Sequence, residues 1–286
     1  MPLLHAGDAV GLIACSDGLR PQHRAQVEKV IGVLRSLGLR PIGATTIYRE
    51  PGTPFSGPPA RRAAELMRLL RTPGVKAVFD LSGGDSANQI LPYLNYDAIA
   101  RARVPFVGIS DLSVINNAIF AQTGLPAFHY RIANLAGSHA AQQKQFFAHR
   151  FMNKPTASSF SYRWLRGNFM KGTVIGGNIR CLLKLAGTPY FPEVRGRILF
   201  LEALGGGPAR MASLLAQLDQ LSVFKKCAGV LLGTFTEMQE KQRTPPIEEL
   251  VLSITRREQL PVAKTEQLGH GEDAGCLPIG LPITLP

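Results

Sequence analysis

Strand-like and helix-like segments alternate along residues 9–124, and this order constrains the fold more than any other feature of the chain. Each apolar run typical of a buried strand is followed by a segment whose apolar residues have helical spacing. The strand and helix segments lie at 9–15 and 21–38, at 40–48 and 58–72, and within 75–94 and 104–124. Such alternation predicts right-handed crossovers and a mostly parallel sheet with helices on both faces.

Two polar glycine turns follow successive strands of this predicted sheet. "SGGD" (82–85) comes after one strand, and "GISD" (108–111) comes after the next. In doubly wound sheets, sites form at the carboxyl ends of the strands. We therefore expect both turns to lie at the edge of the sheet where a site would form.

The alternation changes after about residue 130. A polar stretch over 137–155 is typical of a helix and a linker, and shorter strand and helix units follow it. We therefore predict an α/β protein with a mostly parallel, doubly wound N-terminal domain (1–135), a linker (136–164) and a smaller, mixed α/β C-terminal domain (165–286).

The sequence disfavours several classes of protein. No stretch reaches the ~18 uninterrupted apolar residues of a spanning helix, and the start, "MPLLHAGDAVGLIACSDGL", has no basic leader before an apolar run. We therefore expect a cytoplasmic protein with no membrane partner. Since Cys15, Cys181, Cys227 and Cys276 are far apart, we expect neither a disulfide framework nor a metal site.

The formal net charge of +12 raises the question of a nucleic-acid partner. The basic residues are scattered over predicted helix faces with few aromatic residues among them, so we expect no nucleic acid. A positive field would instead suit an anionic substrate. The glycine stretches at 83–85 and 205–208 lack both the G-x-G-x-x-G pattern and a Walker lysine, so we expect no cofactor.

Ser110 lies in the tight turn between a predicted strand and a predicted helix. Such a turn can project a serine hydroxyl as a nucleophile, with the helix N-terminus close to a developing oxyanion. The usual G-x-S-x-G pattern is incomplete, because Leu112 occupies the second glycine position. The alternative is that Ser110 or Asp111 merely caps the helix.

A nucleophilic serine needs a base and a residue that orients the base. His129 ends a predicted strand near the same sheet edge, and His270 lies between glycines in "LGHGED"; the residues alone do not choose between them. Glu202 ends the apolar strand "RILFLE". A carboxylate there is costly unless it is paired or exposed, so Glu202 is either the orienting residue or a solvent-facing strand end.

Five segments, in order and spanning nearly the whole chain, resemble the LD-carboxypeptidase family, which includes muramoyltetrapeptide carboxypeptidases and microcin C self-immunity proteins. The family's motifs are similar to "GDAVGLIACSDG", "SGGDSANQILPYLNYDAI", "FVGISDLSVINNAIFAQTGLPAFHY", "GTVIGGNIRCLLKLAGTPYFPEVRGRILFLE" and "LGHGEDAGCLPIG". The resemblance implies hydrolysis by a Ser–His–Glu triad without a metal. It assigns Ser110 as nucleophile, Glu202 as orienting residue and His270 as base.

The resemblance further implies an acyl-enzyme mechanism on the amide to the terminal D-alanine of a murein tetrapeptide. Backbone N–H groups of Gly84 and Asp111 would bind the oxyanion, and Asp85, His129 and Arg131 become candidates for substrate binding. A small peptide is the implied partner, and we expect a homodimer, since family members are often dimers. We also keep a microcin-immunity-like peptidase and a non-catalytic binding protein as alternatives.

Several pocket positions depart from the pattern that is common in the family. Ser82 and Asp85 stand where an arginine and an aromatic residue are usual, and Tyr130-Arg131 replaces Gly-Pro. Ala203 follows Glu202 where an acidic residue is usual. We therefore expect the family's reaction type, with substrate contacts that differ at these pocket positions.

Overall fold

The computed structural model describes residues 2–153 and 160–286, and these contain two six-stranded sheets. Residues 154–159, part of the segment predicted to be a linker, lie outside the described residues. In the N-terminal part, strands alternate with helices in the order β1 Ala9–Ile13, α1 Arg24–Ser36, β2 Arg40–Gly43, α2 Pro59–Arg71, β3 Val75–Asp80, α3 Tyr96–Ala102, β4 Phe106–Val107, α4 Ser113–Thr123, β5 Ala127–His129 and α5 Ala140–Phe147.

The first sheet is parallel through β2, β1, β3, β4 and β5, as the alternation predicts. The helix α1 buries Val27, Val30 and Leu34 along one face, which is the i, i+3, i+7 spacing of a helix on a sheet. It ends just before Gly38, whose φ of +79° is in the left-handed region that terminates helices. The predicted fold class, a doubly wound α/β domain followed by a mixed one, is confirmed.

Residues 140–152, within the segment predicted to be a linker, pack against the first sheet. After α5, one π-helical turn spans Ala148–Met152. The rings of Phe147 and Phe151 are buried and lie within 6 Å of the ring of Phe79 on β3. These apolar contacts make the stretch part of the N-terminal core.

The second sheet contains the remaining strands except one. Its order is β12-β7-β8-β9-β10-β6; β7 to β10 run parallel, and the edge strands β12 and β6 run antiparallel. The elements are β6 Arg163–Arg166, β7 Met170–Asn178, α6 Ile179–Leu183, β8 Ile198–Ala203, α7 Pro208–Gln220, α8 Val223–Lys226, β9 Gly229–Phe235, α9 Thr236–Glu240, α10 Ile247–Ile254, β10 Val262–Lys264, β11 Leu277–Ile279 and β12 Pro282–Leu285.

Two connections join the sheets and thereby position the site. Strand β11 leaves the C-terminal part and pairs antiparallel with β5 at the edge of the first sheet. The helix α4 contacts β7, where the side-chain amide of Asn117 bonds the backbone of Gly176 and the Ser113 hydroxyl accepts the N–H of Asn178 at 2.9 Å. The helix that follows Ser110 is thus fixed to the strand beside β8.

Across residues 2–153 and 160–286, we find no helix with the length and apolar character needed to span a bilayer.

Candidate active site

Ser110 lies at a sharp corner between β4 and the helix α4. Its φ is +62°, which is uncommon for a residue with a side chain. Gly108 permits the tight bend, because a Cβ there would lie 2.6 Å from the Cβ of Leu112. The Ser110 hydroxyl has no hydrogen-bond partner among the described residues, and so it does not cap α4. Strained, projecting side chains of this kind are a feature of active sites.

Asp111 is fully buried and does not act as a helix cap either. One of its carboxylate oxygens accepts from the Ser16 hydroxyl at 2.6 Å and from the Ala87 N–H at 2.8 Å. The other oxygen accepts from the Lys184 ammonium at 2.5 Å. The side chain therefore anchors the turn to the β1 and β3 loops and to the end of α6.

The glycine turn after β3 lies beside Ser110. A Cβ on Gly83 would be 3.8 Å from the Ser110 hydroxyl oxygen. Gly84 has a φ of +134°, and a Cβ there would lie only 2.3 Å from the Asp17 carboxyl carbon, so the position requires glycine. The Gly84 N–H has no hydrogen-bond partner among the described residues. The turn thus brings a free backbone donor close to the serine.

Glu202 and His270 form a buried pair. The Glu202 carboxylate is fully buried on β8, and one of its oxygens lies 2.5 Å from the His270 Nδ1. Burial alone would raise the pKa of Glu202, but the charge and the hydrogen bond of His270 outweigh it, so the pKa lies below its ordinary value. Glu202 is therefore not a solvent-facing strand end, and it remains a carboxylate beside the imidazole.

His270 is held by the loop between β10 and β11. Its backbone N–H lies 3.3 Å from the Thr234 hydroxyl oxygen, and Gly269 has a φ of +138°. A Cβ on Gly269 would lie 2.0 Å from that same oxygen, so only glycine lets the loop approach β9. The second ring nitrogen, Nε2, is buried and has no hydrogen-bond partner among the described residues. The ring thus keeps one nitrogen available.

His129 lies behind this pair and lines none of the cavities described below. It is 1% exposed on β5, and its ring lies 5.2 Å from that of Phe200. Neither ring nitrogen has a partner among the described residues. Burial lowers the pKa of His129 to about 4, against a smaller opposite effect of Glu202. The side chain is therefore a neutral component of the core next to Glu202 and His270.

Ser110 lies at the junction of two cavities. The first, about 340 Å³, is here named the histidine cavity because His270 lines it together with Ser110, Gly83, Gly84 and Arg131. The second, about 430 Å³, is named the arginine cavity because Arg180 and Arg210 line it together with Ser110. Leu204 and Gly84 line both. The serine and the imidazole, distant in sequence, thus face one space.

Asp85 lies at the mouth of the arginine cavity and is 70% exposed. It forms an ion pair with Arg180, and its backbone carbonyl accepts from the Lys184 ammonium at 2.8 Å. A third, outer cavity of about 640 Å³ adjoins this one through Gly206 and Arg210, and Lys241 and Arg243 also line it. Glu237 also lines both cavities and pairs with Lys241 at 3.0 Å, so the excess of positive charge beyond Asp85 comes from Arg210 and Arg243.

The sequence reasoning did not single out Asn178, Arg180 or Lys184. Asn178 ends β7 directly opposite Glu202 on β8, and its side chain contributes to the low pKa of that carboxyl. A polar residue that ends an apolar strand is the signal that identified Glu202, and it could have identified Asn178. No local sequence pattern points to the contacts of Arg180 and Lys184 with the glycine turn.

Within 2–153 and 160–286, no group of three or more His, Cys, Asp or Glu could hold a metal ion.

Family models match both parts of the chain. Residues 10–130 match the model of the LD-carboxypeptidase N-terminal domain, and residues 171–285 match that of the LD-carboxypeptidase C-terminal domain.

Characterised relatives of two kinds are similar to the chain. It is 27% identical to the murein tetrapeptide carboxypeptidase of Pseudomonas aeruginosa, over 81% of this chain and 79% of that protein. It is 25% identical to the microcin C7 self-immunity protein MccF of Escherichia coli, over 99% of this chain and 93% of that protein.

Solved structures of both kinds have a similar fold. A muramoyltetrapeptide carboxypeptidase from Oxalobacter formigenes superposes with a TM-score of 0.81 at 25% identity, covering 96% of this chain and 94% of the other. Wild-type MccF without ligand superposes with a TM-score of 0.88 at 22% identity, covering 99% and 94%.

Proposed function

Because the chain belongs to the LD-carboxypeptidase family and is a serine carboxypeptidase, we propose that it hydrolyses the amide to the terminal D-alanine of a murein tetrapeptide. Ser110 is the nucleophile in this proposal, His270 is the general base, and Glu202 orients His270. One observation carries it. Ser110 and His270 line one cavity, and the His270 Nδ1 is already bonded to Glu202.

The proposed first step forms an acyl-enzyme. The Ser110 oxygen attacks the scissile carbonyl carbon while His270 Nε2 takes its proton, and Glu202 stabilises the imidazolium that results. The free Gly84 N–H and the N–H of Asp111 are proposed to donate to the oxyanion. Such a donor contributes about 3 kcal/mol to transition-state stabilisation.

The second half of the reaction restores the enzyme. His270 gives its proton to the leaving amine as the carbon–nitrogen bond breaks. Water, deprotonated by His270, then attacks the ester carbonyl, and as the carbon–oxygen bond to Ser110 breaks, His270 returns that proton to the Ser110 oxygen. The low pKa of Glu202 supports this cycle, because the carboxylate stays charged while the ring gains and loses its proton.

A second candidate substrate is the acyl amide of a peptidyl nucleotide, of the kind that a microcin-immunity protein would cleave. The observation that favours it is the cationic surface formed by the arginine and outer cavities. Arg210 lines both cavities and Arg243 lines the outer one, whereas Lys241 pairs with Glu237. Phosphate would bind favourably to such a cluster.

The experiment is hydrolysis of a purified murein tetrapeptide by the wild type, Ser110→Ala and a surface control, Ser36→Ala. Wild type and Ser36→Ala should release D-alanine, and Ser110→Ala should be at least 10³-fold slower, the order of loss for a serine nucleophile. Acid-quenched wild type should gain the mass of the acyl group. Turnover by Ser110→Ala equal to that of wild type would exclude Ser110 as the nucleophile. Absence of turnover by wild type would favour the alternative of a non-catalytic binding protein. Peptides ending in L-alanine and a microcin-type amide test the substrate assignment.

A further inference from the structure

The histidine cavity contains three polar side chains whose hydrogen-bonding capacity is unused. The guanidinium of Arg131 forms no hydrogen bond or ion pair among the described residues, although the residue is half-buried. The Gln26 amide is likewise without a partner, and the buried Nδ1 of His23 is also unpaired. All three line the cavity together with Ser110. The unpaired, buried Nδ1 of His23 is costly, whereas the half-exposed side chains of Arg131 and Gln26 remain accessible to a ligand.

The carboxylates near Arg131 are already occupied. Glu272, whose pKa is lowered mainly by the Ser138 hydroxyl and N–H and in part by the charge of Arg131, bonds Ser138 through one oxygen and forms no ion pair with Arg131 among the described residues. Asp80, the acidic residue among those that line this cavity, accepts from Cys15 and Ser82, and burial raises its pKa. Arg131 therefore has no direct ion-pair partner among the described residues, although the charge of Glu272 is near it.

The position of His270 indicates which part of a substrate enters here. The histidine that takes the serine proton must deliver it to the leaving amine, so the leaving residue lies on the side of the imidazole. His270 lines the histidine cavity and not the arginine cavity. At about 340 Å³, the cavity is at the small end of the ~300–1,000 Å³ range of ligand sites, as a short leaving group would require.

We propose that Arg131, with Gln26 and His23, binds the free α-carboxylate of the amino acid that is released. The inference rests on the proposed hydrolysis and deepens it. A residue inside a longer peptide has no free α-carboxylate, so binding of this carboxylate would limit cleavage to the last residue of the peptide. The α-carboxylate lies two bonds from the scissile nitrogen, so it enters the same cavity as the amine. The longer acyl part then extends along the arginine cavity, past Arg180 and Arg210.

Binding to the Ser110→Ala protein tests the proposal without relying on turnover. The ligands are a murein tetrapeptide with a free C-terminus and the same peptide as its C-terminal carboxamide, each titrated by calorimetry. We expect the acid to bind at least tenfold more tightly than the amide, about 1.4 kcal/mol. Adding Arg131→Gln should weaken binding of the acid at least tenfold and abolish the preference, whereas Arg131→Lys should retain part of it.

The control is Arg210→Gln in the same background, which alters an exposed guanidinium of the other cavity and should leave the ratio of acid to amide unchanged. Circular dichroism checks that each variant is folded. Equal affinities for acid and amide, an unchanged ratio in Arg131→Gln, or no binding of either peptide would overturn the proposal. Hydrolysis of the tetrapeptide by wild type is measured separately. Hydrolysis together with equal affinities for acid and amide would contradict only the carboxylate site. Absence of hydrolysis would contradict the proposed function.

Discussion

The side-chain amide of Asn117 on α4 exchanges two hydrogen bonds with the backbone of Gly176 on β7, each 2.8 Å long. One bond satisfies the Gly176 carbonyl and the other its N–H, and all of these groups are buried. The pair joins the helix that follows the serine turn to the strand beside β8. The position of Ser110 relative to His270 therefore depends on a contact outside the cavities.

Asn117→Ala should lower both stability and activity. It leaves a buried N–H and a buried carbonyl without partners, at about 1–3 kcal/mol each. We expect the free energy of unfolding in urea to fall by about 3 kcal/mol and kcat/KM to fall with it. Gln122→Ala, which removes an exposed bond from the same helix to Pro189, is the control. A loss in Asn117→Ala no larger than that of the control would contradict the role of this contact.

Gly177→Ala should reduce activity more than its backbone cost explains. The new Cβ would lie 2.4 Å from the Ser113 hydroxyl oxygen, so the start of α4 must shift. The matched control is Gly187→Ala, also at positive φ (+77°) but with no atom within 4 Å. Gly187→Ala should lose about 1 kcal/mol of stability from conformation, and Gly177→Ala more, because its φ of +136° lies beyond the αL region. Only Gly177→Ala should lose at least tenfold in kcat. Equal kcat values for the two variants would show that α4 is not displaced.

Lys184→Met should be strongly destabilising because it leaves the buried carboxylate of Asp111 without its ion-pair partner. Removing one member of a buried ion pair costs about 3–5 kcal/mol. Asp111→Asn in the Lys184→Met background should recover part of this loss, since it removes the uncompensated charge. Urea unfolding of the single and double variants measures the coupling. Additive losses would mean that the ammonium does not stabilise Asp111.

His129 should make stability depend on pH below neutrality. Its pKa is about 4 in the folded protein against an ordinary 6.5, so the unfolded chain binds the proton first as pH falls. The folded state therefore loses stability from about pH 6.5 down to about pH 4, by about 2 kcal/mol at pH 5.

The test measures the free energy of unfolding at pH 7 and at pH 5 and compares the difference between wild type, His129→Asn and His139→Asn. His129→Asn should lose about 2 kcal/mol less between these values than wild type. His139 is exposed, and its variant should behave like wild type. If the three proteins show the same difference between pH 7 and pH 5, His129 is not held neutral by burial.

The local patterns of the sequence predicted much of the fold. Apolar runs and helical spacing depend on neighbouring residues, so β1 to β5 and the helices α1, α2 and α4 could be identified, whereas α3 (Tyr96–Ala102) was not predicted. The segment 75–94 was predicted to end in a helix, and it forms a 3₁₀ helix over Ala87–Tyr93 that contains Pro92. Proline lacks the N–H that an α-helix would use there.

The contacts that assemble the candidate site could not be read in the same way. The residues alone left His129 and His270 equivalent, because burial and cavity lining are properties of the folded chain. Arg180 and Asp85 are 95 positions apart, and neither carries a pattern that points to the other. Only the resemblance to a family singled out His270, and the role of each residue in turnover stays a prediction.

The antiparallel pairing of β11 with β5 bears on biosynthesis. During translation the first sheet emerges with β5 as an open edge, and β11, which covers this edge, follows only after β6 to β10 have been made. His270 lies in the loop that leads from β10 to β11. A nascent polypeptide therefore has neither a covered β5 edge nor the His270 imidazole until the strands of the second sheet up to β10 have been made, and the candidate site cannot assemble before then.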